Sequence, residues 1–253
     1  MKSQRVLKNQ IMKMKKAFFF SSVAMLALFS ATSCDSSVPD SITSKSYDVS
    51  SFSSLNLELV GNVIYEQSDS LYVNATGSSV LIDALKVTQN KQELSIEMKN
   101  KRSFSDGKKE VVITIGSPIL KEIDFKSVGK LHVKNNFKGN KLKITNEGVG
   151  EIKIDDCHVN SFKLISRSVG VITVKGSTNE ASIDSKGIGK IDCSQFKSNI
   201  TKVVSKGTGE IEVVAEKRID ITVSGLGNVK YYGSPTEIKT DISQIGRATN
   251  MGN

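Results

Sequence analysis

Carboxylates are the residues of this chain whose chemistry would matter most for catalysis. Asp155 and Asp156 form an adjacent acid pair, and Asp184 and Asp192 follow further along the chain. Enzymes that cleave acidic polysaccharides hold such acids, as calcium ligands, together with a basic residue in one groove. Because arginines are few here, we predict no catalytic residue. A carbohydrate-active enzyme that acts on acidic polysaccharide remains an alternative.

Cysteine and histidine offer little further chemistry. Cys157 and Cys193 are 36 residues apart, close to two units of the repeat described below, which places them roughly 10 Å apart and beyond the reach of a disulfide. With no CxxC motif and only His132 and His158, neither a metal site nor a cofactor is expected. We interpret Cys193 as a core residue and Cys157 as a free thiol in a loop. We do not expect Cys157 and His158 to form a catalytic dyad, because adjacent residues of an extended chain point apart.

Basic residues recur at one position of the repeat and form the candidate ligand site. Lys126, Arg167, Lys186 and Lys206 each lie three residues before a repeated glycine, and Glu147 and Ser224 occupy the same position in the other units. Three consecutive units thus carry a cation, spaced by about 4.8 Å if the units stack as strands. Such a stripe would suit a sulfated or uronic-acid glycan. The alternative is that the long side chains simply spread into solvent.

Seven short glycine tracts position these residues. Each tract has a glycine followed by an apolar-polar-apolar triplet, and these glycines are separated by 18 to 21 residues: Gly129, Gly150, Gly170, Gly189, Gly209, Gly227 and Gly246. A fixed period of this size indicates one structural unit stacked on itself. A corner with positive φ, or with backbones in close approach, favours glycine because glycine has no Cβ.

Apolar columns follow the same period. They lie two and four residues after each glycine, six residues before it, and directly before it, as in Ile172, Val174, Leu164 and Val169 around Gly170. Stacking would place like residues above like and form internal aliphatic ladders. We predict an all-β fold, a right-handed parallel β-solenoid with coils of about 20 residues. Residues 119–253 form its regular repeats, and residues 47–118 form a less regular β-rich part of the same domain.

Outward charges between neighbouring coils are expected to pair. Lys130 would lie beside Glu151, and Lys190 beside Glu210. Surface pairs of this kind each contribute a fraction of a kcal/mol.

The N-terminal segment is a processing signal. Lysines precede the apolar run at 17–30, and Ala31, Thr32 and Ser33 lead to Cys34, which resembles the lipidation motif of bacterial lipoproteins. We predict a signal peptide over 1–33, lipidation of Cys34 and a flexible tether over 34–46. Cleavage without lipidation, and a start at Met12 or Met14, remain open.

Removing residues 1–33 changes the charge of the chain. The segment holds 6 of the 35 basic residues and none of the 26 acidic ones, so the mature chain carries 29 basic against 26 acidic groups, or +3. This small excess gives no support to nucleic-acid binding.

The repeated tracts, the ending GLGNVKYYGSP (225–235) and the early VGNV (60–63) resemble the head GIN domain family over roughly residues 48–250. Proteins of that family are often named autotransporter adhesins, and many are lipoproteins of the Bacteroidetes. The resemblance implies a parallel β-helix and a place in the cell envelope, and it supplies no catalytic residues. We therefore expect a non-enzymatic outer-membrane lipoprotein, on either face of that membrane, that binds glycan or protein surfaces. A structural or assembly role is the further alternative.

Overall fold

A computed structural model describes residues 41–99, 110–134, 136–243 and 245–252. The predicted signal peptide, the lipidation site Cys34 and most of the predicted tether lie outside these residues. The chain folds into strands of a parallel β-solenoid with about six turns and a less regular N-terminal part, which confirms the predicted fold class. Among the described residues, no helix is long and apolar enough to cross a membrane.

Seven strands and one short helix make up the N-terminal part. These elements are β1 (Ile42–Tyr47), β2 (Ser54–Glu58), β3 (Val60–Gln67), β4 (Tyr72–Ser78), α1 (Ser79–Ala84), β5 (Leu85–Asn90), β6 (Glu93–Met98) and β7 (Val111–Ser117). Strand β1 pairs antiparallel with β4, and β4 pairs antiparallel with β7. The predicted tether therefore ends too late, because residues 42–46 belong to β1. Their backbone groups find partners on β4, so this segment is held in the sheet.

The regular part stacks coil on coil. Its strands are β8 (Glu122–Phe125), β9 (Val128–Val133), β10 (Phe137–Asn146), β11 (Val149–Ser166), β12 (Val169–Ser185), β13 (Ile188–Ser205), β14 (Thr208–Val214), β15 (Arg218–Val223), β16 (Asn228–Tyr232), β17 (Glu237–Ile242) and β18 (Arg247–Asn250). Gly150 pairs in register with Gly170, and Gly189 with Gly209, so these coils repeat after 20 residues. Like residues consequently lie above one another.

The coil made by β2 and β3 joins the stack out of chain order. Strand β2 pairs with β8 and β3 pairs with β9, both parallel, although the hairpin β5–β6 and strand β7 lie between them in sequence. Strands β6 and β7 then pair with the other edges of β2 and β3. Gly61 is in register with Gly129, so the early VGNV segment belongs to the glycine column.

The core is the interior of this stack. Side chains two and four residues after the column glycines are buried, as Ile152, Ile172 and Val174 illustrate, with at most 2% of their surface exposed. Period-two alternation places every second side chain inside. The ladders two, four and six residues from the glycines therefore form the predicted aliphatic interior.

Candidate functional site

The predicted cations lie along one corner of the solenoid. Each backbone amide in this column donates to the coil before it: Lys186 N to Ser166 O and Lys206 N to Ser185 O, both at 2.7 Å. The corresponding amides of Lys126, Glu147 and Arg167 make the same kind of bond. Lys126, Arg167, Lys186 and Lys206 are all exposed. We call Lys126, Glu147, Arg167, Lys186 and Lys206 the charged column.

The charge of this column is concentrated at its C-terminal part. The Arg167 guanidinium donates to the Glu147 carboxylate at 2.8 Å, so that cation has an anionic partner, and Glu147 also separates it from Lys126. Lys186 and Lys206 form no ion pair with any residue that the structure describes. They occupy consecutive coils, about 4.8 Å apart along the stack. Two adjacent cations, rather than three, are thus available to a ligand.

A column of exposed aliphatic side chains runs beside the charged column. The prediction that these residues form an internal ladder is wrong. Val128, Val149 and Val169 are each 50% exposed, Ile188 is 59% exposed and Leu226 is 60% exposed. These residues directly precede the column glycines, whereas the buried residues lie two positions after them. Alternation with period two therefore turns the preceding residue outward. We call these five residues the aliphatic column.

The glycines hold this corner in a narrow geometry. Gly129, Gly150, Gly170, Gly189 and Gly209 have φ between +138° and +149°, a region that L side chains rarely adopt. A Cβ on Gly170 would lie 1.8 Å from the carbonyl oxygen of Gly150. The other two predicted corner glycines differ, because neither Gly227 nor Gly246 has positive φ. A Cβ there would first meet a side chain, at 2.5 Å and 2.2 Å respectively.

Buried hydrogen bonds support the corner from inside. The Asn146 Nδ2 donates to Ser168 Oγ at 2.9 Å, and Ser166 Oγ lies 2.9 Å from the same oxygen. The amide of Gly148 donates to Asn146 Oδ1 at 3.1 Å. Because buried polar groups of this kind are costly to leave unpaired, the network restricts the backbone that presents the two columns. The sequence offered no sign of it beyond polar residues at inward positions.

The strand face that follows the corner is occupied by paired charges. Lys130 lies 3.2 Å from Glu151 and Lys190 lies 3.5 Å from Glu210, which confirms both predicted pairs. Lys190 also contacts Glu212 at 2.8 Å. Lys230 donates to Glu210, and this bond holds the pKa of Glu210 below its usual value. These cations already have acidic partners, so this face is less suited than the charged column to bind an anion.

Asp155, the first residue of the acid pair considered for catalysis, already has basic partners. Asp155 Oδ2 lies 2.5 Å from His132 Nε2 and its Oδ1 lies 2.7 Å from Lys153 Nζ. Burial opposes ionisation of Asp155, but the hydrogen bonds from Lys153 and His132 outweigh it, so the pKa of the carboxyl is lowered. Among the described residues, no group of three or more His, Cys, Asp or Glu side chains could hold a metal ion.

An Asp–His–Ser sequence of contacts exists on the neighbouring strands. His158 Nε2 lies 2.9 Å from Asp156 Oδ1, and His158 Nδ1 lies 2.8 Å from Ser177 Oγ. A serine hydrolase also has an Asp–His–Ser sequence of contacts, but there the aspartate contacts Nδ1 and the serine contacts Nε2, the reverse of the arrangement here. The His158 side chain is 44% exposed and that of Asp156 is 36% exposed. Stabilising the charge of an acyl-transfer transition state depends on preorganised donors in a site that excludes water, so this exposed group is poorly suited to that chemistry.

The two described cysteines are free and buried. Cys193 belongs to the core, as its column predicts. The prediction that Cys157 lies in a loop is wrong. Cys157 lies in β11, where it is in register with Phe137 and Gly176. Phe137 and Phe196 are buried at the same register position, so Cys157 points into the interior of the stack. Burial raises the pKa of the Cys157 thiol to about 12, and burial raises the pKa of Cys193 as well.

Comparison with known proteins identifies the family. The family model described as "Putative auto-transporter adhesin, head GIN domain" matches residues 51–235, and the chain belongs to this family. Proteins of this kind are placed at the cell envelope or surface, and they are named as adhesins rather than enzymes. Among curated protein sequences, none matches the chain.

Solved structures share the fold. A protein of Bacteroides fragilis NCTC 9343, described as a putative adhesin, is 29% identical with a TM-score of 0.79, and the match covers 83% of this chain and 97% of that one. A putative adhesin of Parabacteroides merdae ATCC 43184 is 20% identical, with a TM-score of 0.55 and coverage of 84% and 96%. A protein of Parabacteroides distasonis ATCC 8503, described as a putative lipid binding protein, is 20% identical, with a TM-score of 0.57 and coverage of 82% and 96%. The last two establish similarity of fold alone.

Proposed function

We propose that this member of the head GIN domain family is a non-enzymatic adhesin of the outer membrane, anchored by a lipid on Cys34, that binds an anionic glycan at the charged column. The observation that carries the proposal is the pair Lys186 and Lys206. Both are exposed on consecutive coils, and neither has an ion-pair partner within the described residues. Like charges this close repel one another, and a bound sulfate or carboxylate group relieves the repulsion.

The ligand best suited to this surface is a linear polymer with regularly spaced negative groups. The two ammonium groups lie on a ladder with a spacing of about 4.8 Å, and the corner beneath them is restricted by the glycines and the buried Asn146–Ser168 network. A rigid site loses little conformational freedom on binding. The exposed methyl groups of Val169 and Ile188 lie beside the cations and can pack against the apolar face of a sugar ring.

Binding to an array of sulfated and uronic-acid glycans tests this site. We expect the wild-type chain to bind, and the double variant Lys186→Glu with Lys206→Glu to bind at least about tenfold more weakly, since two charge-assisted contacts are reversed. The matched control is Lys163→Glu with Lys202→Glu, which makes the same change of net charge at exposed lysines of β11 and β13. Equal loss in both double variants, or no binding by the wild type, would refute the glycan site.

Labelling with palmitate tests the anchor separately. The wild-type chain should incorporate the label and Cys34→Ala should not, while protease treatment of intact cells tells which membrane face carries the protein. Label retained in Cys34→Ala would place the lipid elsewhere and contradict the anchor, without bearing on the glycan site.

The aliphatic column favours a second candidate function, an assembly role in which another envelope protein packs on the corner. Contiguous exposed apolar side chains are uncommon on monomeric proteins unless a partner covers them. Replacing Val128 and Val149, which are equally exposed and lie further from Lys186 and Lys206, by serine should then abolish crosslinking of the corner to envelope proteins while glycan binding persists. Loss of glycan binding with unchanged crosslinks would argue against the assembly role.

A further inference from the structure

The C-terminal coil ends the described stack with an uncovered strand. Strand β17 pairs with β15 along one edge, and no strand of the described chain pairs with its other edge. All six of its residues are exposed. A free edge presents backbone donors and acceptors that can pair with another chain.

The interior of the solenoid is also open at this end. Ile238 and Ile242 are in register with Ile219 and Val223, which are fully buried. Ile238 is nevertheless 52% exposed and Ile242 44% exposed, because no further described coil covers them. Burial of these two side chains would add favourable hydrophobic free energy, roughly in proportion to the area removed from water.

The unpaired backbone groups of β17 belong to alternate residues. Glu237 N donates to Lys217 O, and Ser243 N donates to Val223 O. In a parallel ladder the residues of one parity face one neighbour and the residues of the other parity face the opposite edge. The amides and carbonyls of Ile238, Thr240 and Ile242 therefore point away from β15, toward solvent.

The sequence of β17 is complementary to itself when it is read in the opposite direction. The segment Ile238-Lys239-Thr240-Asp241-Ile242 has an apolar residue at each end, a cation and an anion inside, and threonine at its centre. Lys239 and Asp241 point outward, since Ile238, Thr240 and Ile242 occupy the inward register. Neither of the two charges forms an ion pair with a residue that the structure describes.

We infer that β17 is a docking edge for a second copy of this chain, which pairs antiparallel about a two-fold axis through Thr240. In that register Ile238 faces Ile242 of the partner subunit, and Lys239 faces Asp241 of the partner subunit. The edge-facing residues form the hydrogen-bonded pairs. Lys239 and Asp241 then fall at the non-hydrogen-bonded pairs, where opposite side chains come closest.

The symmetry closes the assembly as a dimer. The contact uses the same strand in both copies, which is the isologous arrangement of a two-fold dimer. The other end of the stack is occupied by the antiparallel strands β1 and β4 and by α1, so the same contact cannot be repeated there to form a filament. Because β1 lies at that other end, the two copies of β1 would lie at opposite ends of the dimer. If the proposed anchor on Cys34 holds, the dimer joins two membrane surfaces, and this consequence alone rests on the proposed function.

Sedimentation velocity of the full chain with Cys34→Ala, which removes the candidate lipid site from every sample, tests the dimer. We expect a dimer that dissociates on dilution, and at least about tenfold weaker dimerisation for Lys239→Glu and for Asp241→Lys, because each change places like charges opposite one another twice. An equimolar mixture of the two variants should recover the dimer, since each glutamate or aspartate then faces a lysine. Lys163→Glu, in the same outward column within the stack, should dimerise like the parent chain.

A backbone variant tests the pairing itself. Thr240→Pro removes an amide that faces the open edge and leaves the bonds to β15, and proline is tolerated at such edge positions. It should abolish the dimer while the far-UV spectrum and the urea midpoint stay near those of the parent. A parent chain that stays monomeric up to about 0.5 mM would overturn the inference, since a dimer with a dissociation constant of about 1 μM would be almost completely formed at that concentration. So would dimers that survive Lys239→Glu and Asp241→Lys separately, or a mixture that remains monomeric.

Discussion

Substitution of a column glycine tests whether the corner geometry holds the stack together. In Gly170→Ala the new Cβ would lie 1.8 Å from the carbonyl oxygen of Gly150, where ordinary contact begins at 3.4 Å. The two coils would have to separate by roughly 1.5 Å, which weakens the hydrogen bonds between them, each worth about 0.5–1.5 kcal/mol. The φ of +147° adds strain, about 1–3 kcal/mol for a residue with a side chain.

These two effects together predict a loss of at least about 3 kcal/mol in the free energy of unfolding. With a urea dependence of about 3 kcal/mol per molar, the unfolding midpoint should fall by about 1 M. Gly139→Ala is the matched control, because a Cβ there meets nothing closer than 3.9 Å, and its midpoint should change little. Gly227→Ala should fall between the two, because its φ is not positive and its nearest obstacle is the Ser205 hydroxyl. A midpoint for Gly170→Ala as high as that of Gly139→Ala would refute the reasoning.

Two further predictions concern ionisable groups. In Cys34→Ala protein, Cys157 and Cys193 should not react with a thiol reagent at pH 8 until urea unfolds the chain, because burial raises the pKa of both thiols and only the thiolate reacts; rapid labelling of the folded protein would contradict their burial. Asp155→Asn should destabilise the protein by about 1 kcal/mol at pH 7, as judged by urea unfolding. Since the folded-state pKa of Asp155 is lowered, this stabilisation is complete above the ordinary pKa of an aspartate and is lost as the pH falls through the folded value. A difference between wild type and variant that is independent of pH would show that the ion pairs do not contribute.

The stacked columns could be predicted because each is visible within one repeat. A glycine with no room for a Cβ and an apolar residue two positions later recur together, and the structure places Ile152, Ile172 and Ile191 in one register. The N-terminal order could not be predicted in this way. Strand β3 lies against β9 because the edge of β9 is open and Gly61 fits beside Gly129, and sequence distance does not reveal which edges remain free.

The outward direction of the aliphatic column could have been predicted from the sequence. Val169 and Ile172 are three positions apart, an odd number, so one of them must face outward in an extended chain. Hydrophobicity alone does not reveal this difference, because Val169 and Ile172 are both aliphatic. The pairing of Arg167 with Glu147 was less accessible, because the choice between an ion pair and a solvated side chain depends on the separation of two neighbouring coils and not on their composition.

Binding specificity in such a stack must come from its outward columns. The inward ladder and the glycines are constrained by stacking, since a Cβ on Gly189 or Gly209 would lie 1.9 Å from the backbone of the coil before it. Changes there alter stability before they alter recognition. The charged and aliphatic columns carry no such constraint, so a substitution in either column changes the surface without disturbing the ladder beneath it. In the proposed glycan site, the difference between the paired Arg167 and the unpaired Lys186 and Lys206 therefore limits anion binding to the C-terminal part of the corner.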